Sequence, residues 1–171
     1  MIMPREKTPD LNLPMVAGGQ FVLSEETAER GTLVCFYRGL HCPICEKQTE
    51  AFAERGFNTI AISSDSEERA KSMAEKVEAN NLRFAYGLDL KLARDWGLYI
   101  SAGRGLTSIN IEEPALLSEP GLFIVNKDQT LYYASVQTMP FSRPHFSELV
   151  GALDFVIKND YPARGEFTGA V

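Results

Sequence analysis

One stretch of the chain, from Thr32 to Phe52, constrains the fold more than any other. It begins with an apolar run of β-forming residues, passes a short turn that contains glycine, and places Cys42 and Cys45 three positions apart at the start of a helical segment. Positions i and i+3 lie on one face of a helix, so the two sulfurs can approach closely enough for a disulfide. The pattern predicts a strand that delivers a CxxC pair to a helix N-terminus.

This placement predicts an activated thiol. Unpaired backbone N–H groups and the helix dipole favour a negative charge at the first sulfur, so the Cys42 thiolate should form near neutral pH. Lowering the thiol pKa from about 8.5 to ~6.5 would raise the thiolate fraction at pH 7 from a few per cent to roughly three-quarters. Protonated His41 and Arg38 would act in the same direction, and Pro43 suits a first helical turn.

Length and charge exclude several classes of protein. The 171 residues, of which 44% are hydrophobic, favour one domain over residues 1–171, with 159–171 as a C-terminal tail rich in Pro, Gly and charge. The net charge of −6 and the lack of a basic run argue against nucleic acid and anionic membranes as partners. The tail is expected either to be loose or to lie across a partner subunit of a homodimer.

Compartment follows from what the sequence lacks. No run of about twenty apolar residues predicts a membrane span, and the polar segment at Met1–Asp10 does not look like a secretory signal. The expected location is the cytoplasm. In that reducing compartment a CxxC pair is more often catalytic or metal-binding than a structural disulfide.

The remaining elements predict an α/β domain with a mixed sheet. Apolar runs predict strands at 57–62 and 83–87 and a hairpin of 121–125 with 131–136. Ser64 and Glu67 have capping-box spacing before one helix, and Asp89 caps a shorter one. Ser142 and Pro144 open the last helix. The segment 101–120 is a long irregular loop, of a length that is often functional.

These residues resemble the thioredoxin-like fold and, within it, the peroxiredoxin-like (AhpC/TSA) proteins. The resemblance is strongest at 36–45, continues at 61–65 and 121–125, and extends from about Thr8 to Tyr161. It implies a central mixed β-sheet flanked by helices in a single domain.

The resemblance also assigns site residues, with two departures. The peroxiredoxin pattern P-x-x-x-T-x-x-C falls on Arg38, Cys42 and Cys45, so only the last cysteine is kept. The family arginine that holds the peroxide falls on Glu119–Pro120. Compared with thioredoxins instead, Cys42 is the nucleophile, Cys45 resolves, and Pro120 resembles the cis-proline that faces the disulfide and offers a backbone edge to a thiol substrate.

Each assignment has a simpler alternative. The CxxC pair could be half of a zinc site, but beyond the pair the chain offers only His41, His145 and Cys35 as further Cys or His ligands. His41 could be an ordinary loop histidine, Arg38 a surface salt bridge, and Pro120 a turn residue. Cys35, midway along an apolar strand, is expected to be a small buried hydrophobe.

Three functional hypotheses follow. The first is a thiol-dependent oxidoreductase in which Cys42 and Cys45 reduce hydroperoxides or disulfides and an external thiol, either a thioredoxin-like protein or glutathione, regenerates them. It requires no metal, flavin or nicotinamide cofactor. The second is a protein-disulfide reductase without peroxidase activity, and the third is a redox sensor or zinc-binding adaptor. Which cysteine attacks is open, because the thioredoxin comparison favours Cys42 and the peroxiredoxin comparison favours Cys45.

Overall fold

The computed structural model describes residues 2–40, 49–77, 82–139 and 144–170. Its elements, in chain order, are β1 (Asn12–Pro14), β2 (Gln20–Val22), a 3-10 turn (Leu23–Glu25), β3 (Gly31–Phe36), α1 (Thr49–Glu54), β4 (Phe57–Ile62), α2 (Glu67–Lys76), β5 (Arg83–Ala85), α3 (Leu90–Asp95), β6 (Ile100–Ala102), β7 (Leu116–Ser118), β8 (Gly121–Asn126), β9 (Leu131–Val136) and α4 (Phe146–Asn159).

The central sheet has the strand order β5-β4-β3-β8-β9. Strand β3 lies in the middle, where it pairs in parallel with β4 and antiparallel with β8. Strands β4 and β5 are parallel, and β8 and β9 form the predicted antiparallel hairpin. The sheet is therefore mixed, which confirms the predicted α/β thioredoxin-like architecture.

Side chains of β3 alternate between two hydrophobic cores because successive residues of a strand point to opposite faces. Val34 and Phe36 belong to the core that contains Trp96, whereas Leu33 and Cys35 belong to the core beneath α1 and α4. All six residues of β3 are buried. Burying a large apolar side chain contributes about 1.5–3 kcal/mol, so this strand is a firmly held base for the segment that follows it.

The helix caps agree only in part with the sequence. Asp89 caps α3 as predicted, accepting hydrogen bonds from the N–H groups of Lys91 and Leu92. The predicted capping box of Ser64 and Glu67 is wrong, because Ser66 is the N-cap of α2 and accepts from the N–H of Arg69.

The long segment before β8 is more regular than predicted. Strands β6 and β7 pair antiparallel and enclose a loop whose Gly103 N–H donates to Ala115 at 3.0 Å. A Cβ at Gly103 would lie 2.1 Å from the Pro114 carbonyl oxygen, so glycine permits this close approach of two backbones. Below, the residues 103–115 are called the β6–β7 loop.

The tail contacts its own chain. Arg5 Nε donates to the Ala163 carbonyl at 3.0 Å, and the Tyr132 hydroxyl donates to the Tyr161 carbonyl at 2.9 Å. An ion pair of 3.1 Å joins Arg5 and Glu166. The tail thus lies along β9 and the N-terminal segment. No helix in the described ranges is long and apolar enough to cross a membrane.

Candidate functional site

Three of the predicted site residues, His41, Cys42 and Cys45, lie outside the described residues. The described chain reaches Leu40 after β3 and resumes at Thr49 in α1. The site is therefore characterised by the residues just after β3 and by the described residues that contact them, in the β6–β7 loop and beyond the end of β4.

Arg38, two residues beyond β3, lies between two carboxylates. Its Nη2 donates to Glu113 Oε1 at 3.2 Å, and its Nε lies 3.0 Å from Glu119 Oε2. The exposed fractions of the side chains are 14% for Arg38, 7% for Glu113 and 5% for Glu119. The alternative of a surface salt bridge is therefore wrong, since this is a nearly buried ion cluster.

The two ion pairs differ in kind. The Arg38–Glu113 contact is a hydrogen bond, whereas Arg38 Nε and Glu119 Oε2 are close but not aligned as donor and acceptor, and both atoms are buried without a hydrogen bond. The Glu119 contact is thus chiefly electrostatic. Because carboxylates lie against the guanidinium, its positive potential towards a neighbouring thiolate is smaller than that of an unpaired arginine.

Glu113 also orders the β6–β7 loop. Its Oε2 accepts the backbone N–H of Arg104 at 2.8 Å, while Oε1 accepts from Arg38. One carboxylate therefore joins both sides of the loop to the chain four residues before Cys42. Glu113 therefore attaches the long loop, which the sequence predicts to be functional, to Arg38, just before the cysteine segment.

Pro120 does not have the predicted cis geometry. The described part of the chain contains no cis peptide bond, so Glu119–Pro120 is trans. The Glu119 N–H donates to Tyr99 at 2.7 Å, and the Pro120 carbonyl accepts from Gln137 at 3.1 Å. Pro120 is also buried, so these hydrogen bonds hold a trans backbone inside the protein rather than the exposed edge that a cis-proline was expected to offer.

A second carboxylate, which is fully buried, contacts the turn after β3 at its last described residue. The Leu40 N–H donates to Asp65 Oδ2 at 2.8 Å, and Arg69 Nε donates to Oδ1 at 2.9 Å. The side chain of Asp65 is 0% exposed. Asp65 follows β4, the strand next to β3, so the turn after β3 is attached to the neighbouring strand's end.

Two ionisable groups of this region are neutral at physiological pH. Burial raises the pKa of the Cys35 thiol to about 12, which confirms the prediction of a buried small hydrophobe. Burial also raises the pKa of the Tyr37 hydroxyl to about 12, with the Ser63 hydroxyl lowering it and the charge of Asp65 raising it. The Ser63 contact falls short of hydrogen-bond geometry, which leaves the buried Tyr37 oxygen without a hydrogen bond.

Sequence patterns did not predict that three of these site residues contact the chain just before the CxxC pair. Glu113 lies 75 positions from Arg38, and nothing in its spacing indicates the contact. Glu119 was identified only through its place before Pro120, and Asp65 only as the last residue of the stretch 61–65 that resembles the family. Within the described ranges, no cluster of three or more His, Cys, Asp and Glu side chains could hold a metal ion.

Comparisons with known proteins agree with this architecture. The family model described as Redoxin matches residues 3–153. The peroxidoxin BcpB from Mycobacterium tuberculosis is 16% identical with a TM-score of 0.67, and the match covers 91% of this chain and 99% of that one.

Two further structures are similar. For the C45S mutant of peroxiredoxin 6 of Arenicola marina the identity is 16%, the TM-score 0.72, and the coverage 94% of this chain and 76% of that chain. AhpC of Enterococcus faecalis is 15% identical with a TM-score of 0.69, covering 96% and 99%. At these identities the structures establish the fold. The search of the curated proteins found no match.

Proposed function

Because the chain belongs to the Redoxin family, we propose that Cys42 and Cys45 carry a thiol-dependent oxidoreductase activity that reduces hydroperoxides or disulfides. The observation that supports this most is that the family match spans the CxxC segment and that this segment follows β3, the fully buried central strand. A rigid strand end is a suitable support for a reactive thiol. We place the activity in the cytoplasm, where thiols are kept reduced.

The proposed peroxide reaction balances with an external thiol. The Cys42 thiolate attacks one peroxide oxygen, the S–O bond forms, the O–O bond breaks, and the alcohol leaves after protonation. The Cys45 thiol then displaces water from the Cys42 sulfenic acid and forms the Cys42–Cys45 disulfide. Two electrons from a thioredoxin-like protein or from two glutathione molecules restore both thiols.

The surroundings of Arg38 favour a second candidate, reduction of protein disulfides without peroxidase activity. Two carboxylates flank the guanidinium, and Glu119 stands near it where the family resemblance expects an arginine. This arrangement offers less positive charge to a peroxide oxygen than a free arginine would. In the disulfide reaction Cys42 forms a mixed disulfide with release of one substrate thiol, and Cys45 then releases the other.

A stopped-flow experiment tests the first candidate. Reduced protein mixed with hydrogen peroxide should lose two thiols per peroxide, and Cys42→Ser should abolish the fast phase. Cys35→Ser is the matched control, because its buried thiol should not contribute. A wild-type rate no faster than that of free cysteine would discard the peroxidase function. Rapid reduction of insulin by the same protein would then support the second candidate.

The attacking thiol is assigned by trapping. In Cys45→Ser the mixed disulfide with a substrate or reductant cannot be resolved, so it should accumulate on Cys42 and be visible by mass spectrometry. Accumulation in Cys42→Ser alone would assign the attack to Cys45 instead.

A further inference from the structure

We propose that Asp65 is a positioning residue for the reaction, which holds the turn before Cys42 in the conformation that activates its thiol. The inference rests on the proposed function in one respect, namely that Cys42 is the reactive thiol. Asp65 itself is not assigned a contact with the substrate.

The main evidence is the hydrogen bond between the Leu40 N–H and Asp65 Oδ2, which measures 2.8 Å. Leu40 is the last described residue before the cysteine segment and lies two positions before Cys42. A charge-assisted hydrogen bond to a fully buried carboxylate is stronger than one between neutral groups, and breaking it takes from Oδ2 the Leu40 donor while Arg69 still donates to Oδ1. Asp65 therefore fixes the backbone immediately before the cysteines.

The backbone conformation of Gly39 and its lack of a side chain suit this contact. Its φ of +134° lies in the region that side chains rarely adopt, and a Cβ there would lie 2.6 Å from Asp65 Oδ2. The backbone of the turn thus packs directly on the carboxylate. A glycine at this position satisfies both the unusual dihedral angle and the close approach.

Asp65 is itself held from several sides. Its N–H donates to the Ser63 hydroxyl at 3.3 Å, and its carbonyl accepts from Gly87 at 3.0 Å. Arg69 of α2 donates to Oδ1, and Tyr37, the residue after β3, is the further titratable group whose ionisation the Asp65 charge affects. The carboxylate is therefore held in a fixed position beyond the end of β4 and is not a mobile side chain.

Positioning and direct electrostatics predict opposite results. A buried negative charge acting on the thiol through space raises the thiol pKa, so its removal would make Cys42 more reactive at pH 7. A carboxylate that positions the turn supports the helix N-terminal placement of Cys42 that the sequence predicts, so its removal returns the thiol towards the ordinary pKa of about 8.5. The direction of the change in Cys42 reactivity therefore distinguishes positioning from direct electrostatics.

Alkylation of each cysteine by iodoacetamide, followed by peptide mass spectrometry across a pH series, measures this change. Asp65→Ala should lower the Cys42 rate at pH 7 about tenfold and raise the midpoint of its pH profile. Asp65→Asn keeps an acceptor for Leu40 and should stay closer to the wild-type rate. Glu68→Gln, an exposed acid of α2, is the matched control and should change nothing.

Cys35 serves as an internal reporter of folding, because its buried thiol is alkylated only if the core opens. A wild-type or faster Cys42 rate in an Asp65→Ala protein with protected Cys35 would overturn the proposal. If Asp65→Ala exposes Cys35, hydrogen exchange of the wild-type protein decides instead. A Leu40 amide that exchanges as slowly as the amides of β3 supports the contact, and one that exchanges like an exposed loop amide refutes it.

The inference and the proposed function can fail separately. Alkylation requires no turnover, so the Asp65 result is obtained even if the protein reduces neither peroxide nor insulin. Conversely, a wild-type Cys42 with an ordinary pH profile would count against thiol activation as a whole, and with it against any positioning by Asp65.

Discussion

Arg38 and Glu113 form a nearly buried ion pair, with Nη2 and Oε1 separated by 3.2 Å, that joins the end of the central strand to the β6–β7 loop. A pair of this kind costs free energy to desolvate, and breaking it from one side leaves an uncompensated buried charge. Here it fixes the loop against the chain just after β3, four residues before Cys42. The loop is thereby part of the proposed site, although it lies far away in sequence.

Removing the shared cation should destabilise the protein strongly. Arg38→Met takes the guanidinium away from Glu113 and Glu119, whose side chains are 7% and 5% exposed. The loss in free energy of unfolding should be about 3 kcal/mol, the usual cost of breaking a buried pair from one side. Urea denaturation followed by circular dichroism measures it.

The control for this change is Arg30→Met. Arg30 pairs with Glu29 at 3.7 Å on the surface, with side chains 43% and 75% exposed. Its loss should cost less than about 0.5 kcal/mol. Equal losses in the free energy of unfolding for Arg38→Met and Arg30→Met would show that the buried cluster contributes no more to stability than a surface ion pair.

Gly39→Ala should be more damaging than a comparable change elsewhere. The new methyl group would meet Asp65 Oδ2 at 2.6 Å and force a strained φ, so we expect a loss of about 2 kcal/mol or more together with slower Cys42 alkylation.

Gly87→Ala is the matched comparison, because Gly87 also has a positive φ, of +71°, but open space where the Cβ would stand. It should cost only about 1 kcal/mol. A Gly39→Ala protein as stable and reactive as Gly87→Ala would contradict the packing of the turn on Asp65.

The buried Cys35 thiol should make the protein sensitive to alkali. Burial raises its pKa to about 12. Above pH 9 the unfolded chain releases the proton while the folded chain keeps it, so stability is complete below pH 9 and falls as pH rises towards 12, by about 1.4 kcal/mol per pH unit.

Urea titrations at pH 8, 9.5 and 10.5 test this in wild type and Cys35→Ala. The variant should show a shallower decline, whatever its stability at pH 8. Tyr37, whose pKa is also raised to about 12, is present in both proteins and cancels in the comparison. Parallel declines in stability for the two proteins would mean that Cys35 has the same pKa in the folded and the unfolded chain.

Elements set by local pattern were predictable, and contacts between distant residues were not. The strand 57–62 and the hairpin of β8 and β9 follow from apolar runs and turn residues, and both are confirmed. The Arg38–Glu113 pair spans 75 positions, and no periodicity connects its members.

Two errors have a common physical origin. Pro120 was compared with a cis-proline by its place in the chain, but the hydrogen bonds of Glu119 and Pro120 hold the trans form. The capping box was assigned by spacing, but the Ser64 hydroxyl is buried without a hydrogen bond and Ser66 caps α2 instead. In both cases tertiary contacts decided between conformations that the local sequence allows.

The central claim is that Cys42 and Cys45 alternate between two thiols and one disulfide. The most direct measurement is peptide mapping by mass spectrometry after the reduced protein receives one equivalent of hydrogen peroxide or of a small disulfide. We predict a peptide linked through Cys42 and Cys45, with Cys35 still a free thiol, and its disappearance when glutathione or a reduced thioredoxin-like protein is added. Recovery of Cys42 and Cys45 as free thiols under both oxidants, or a disulfide that includes Cys35, would contradict the account.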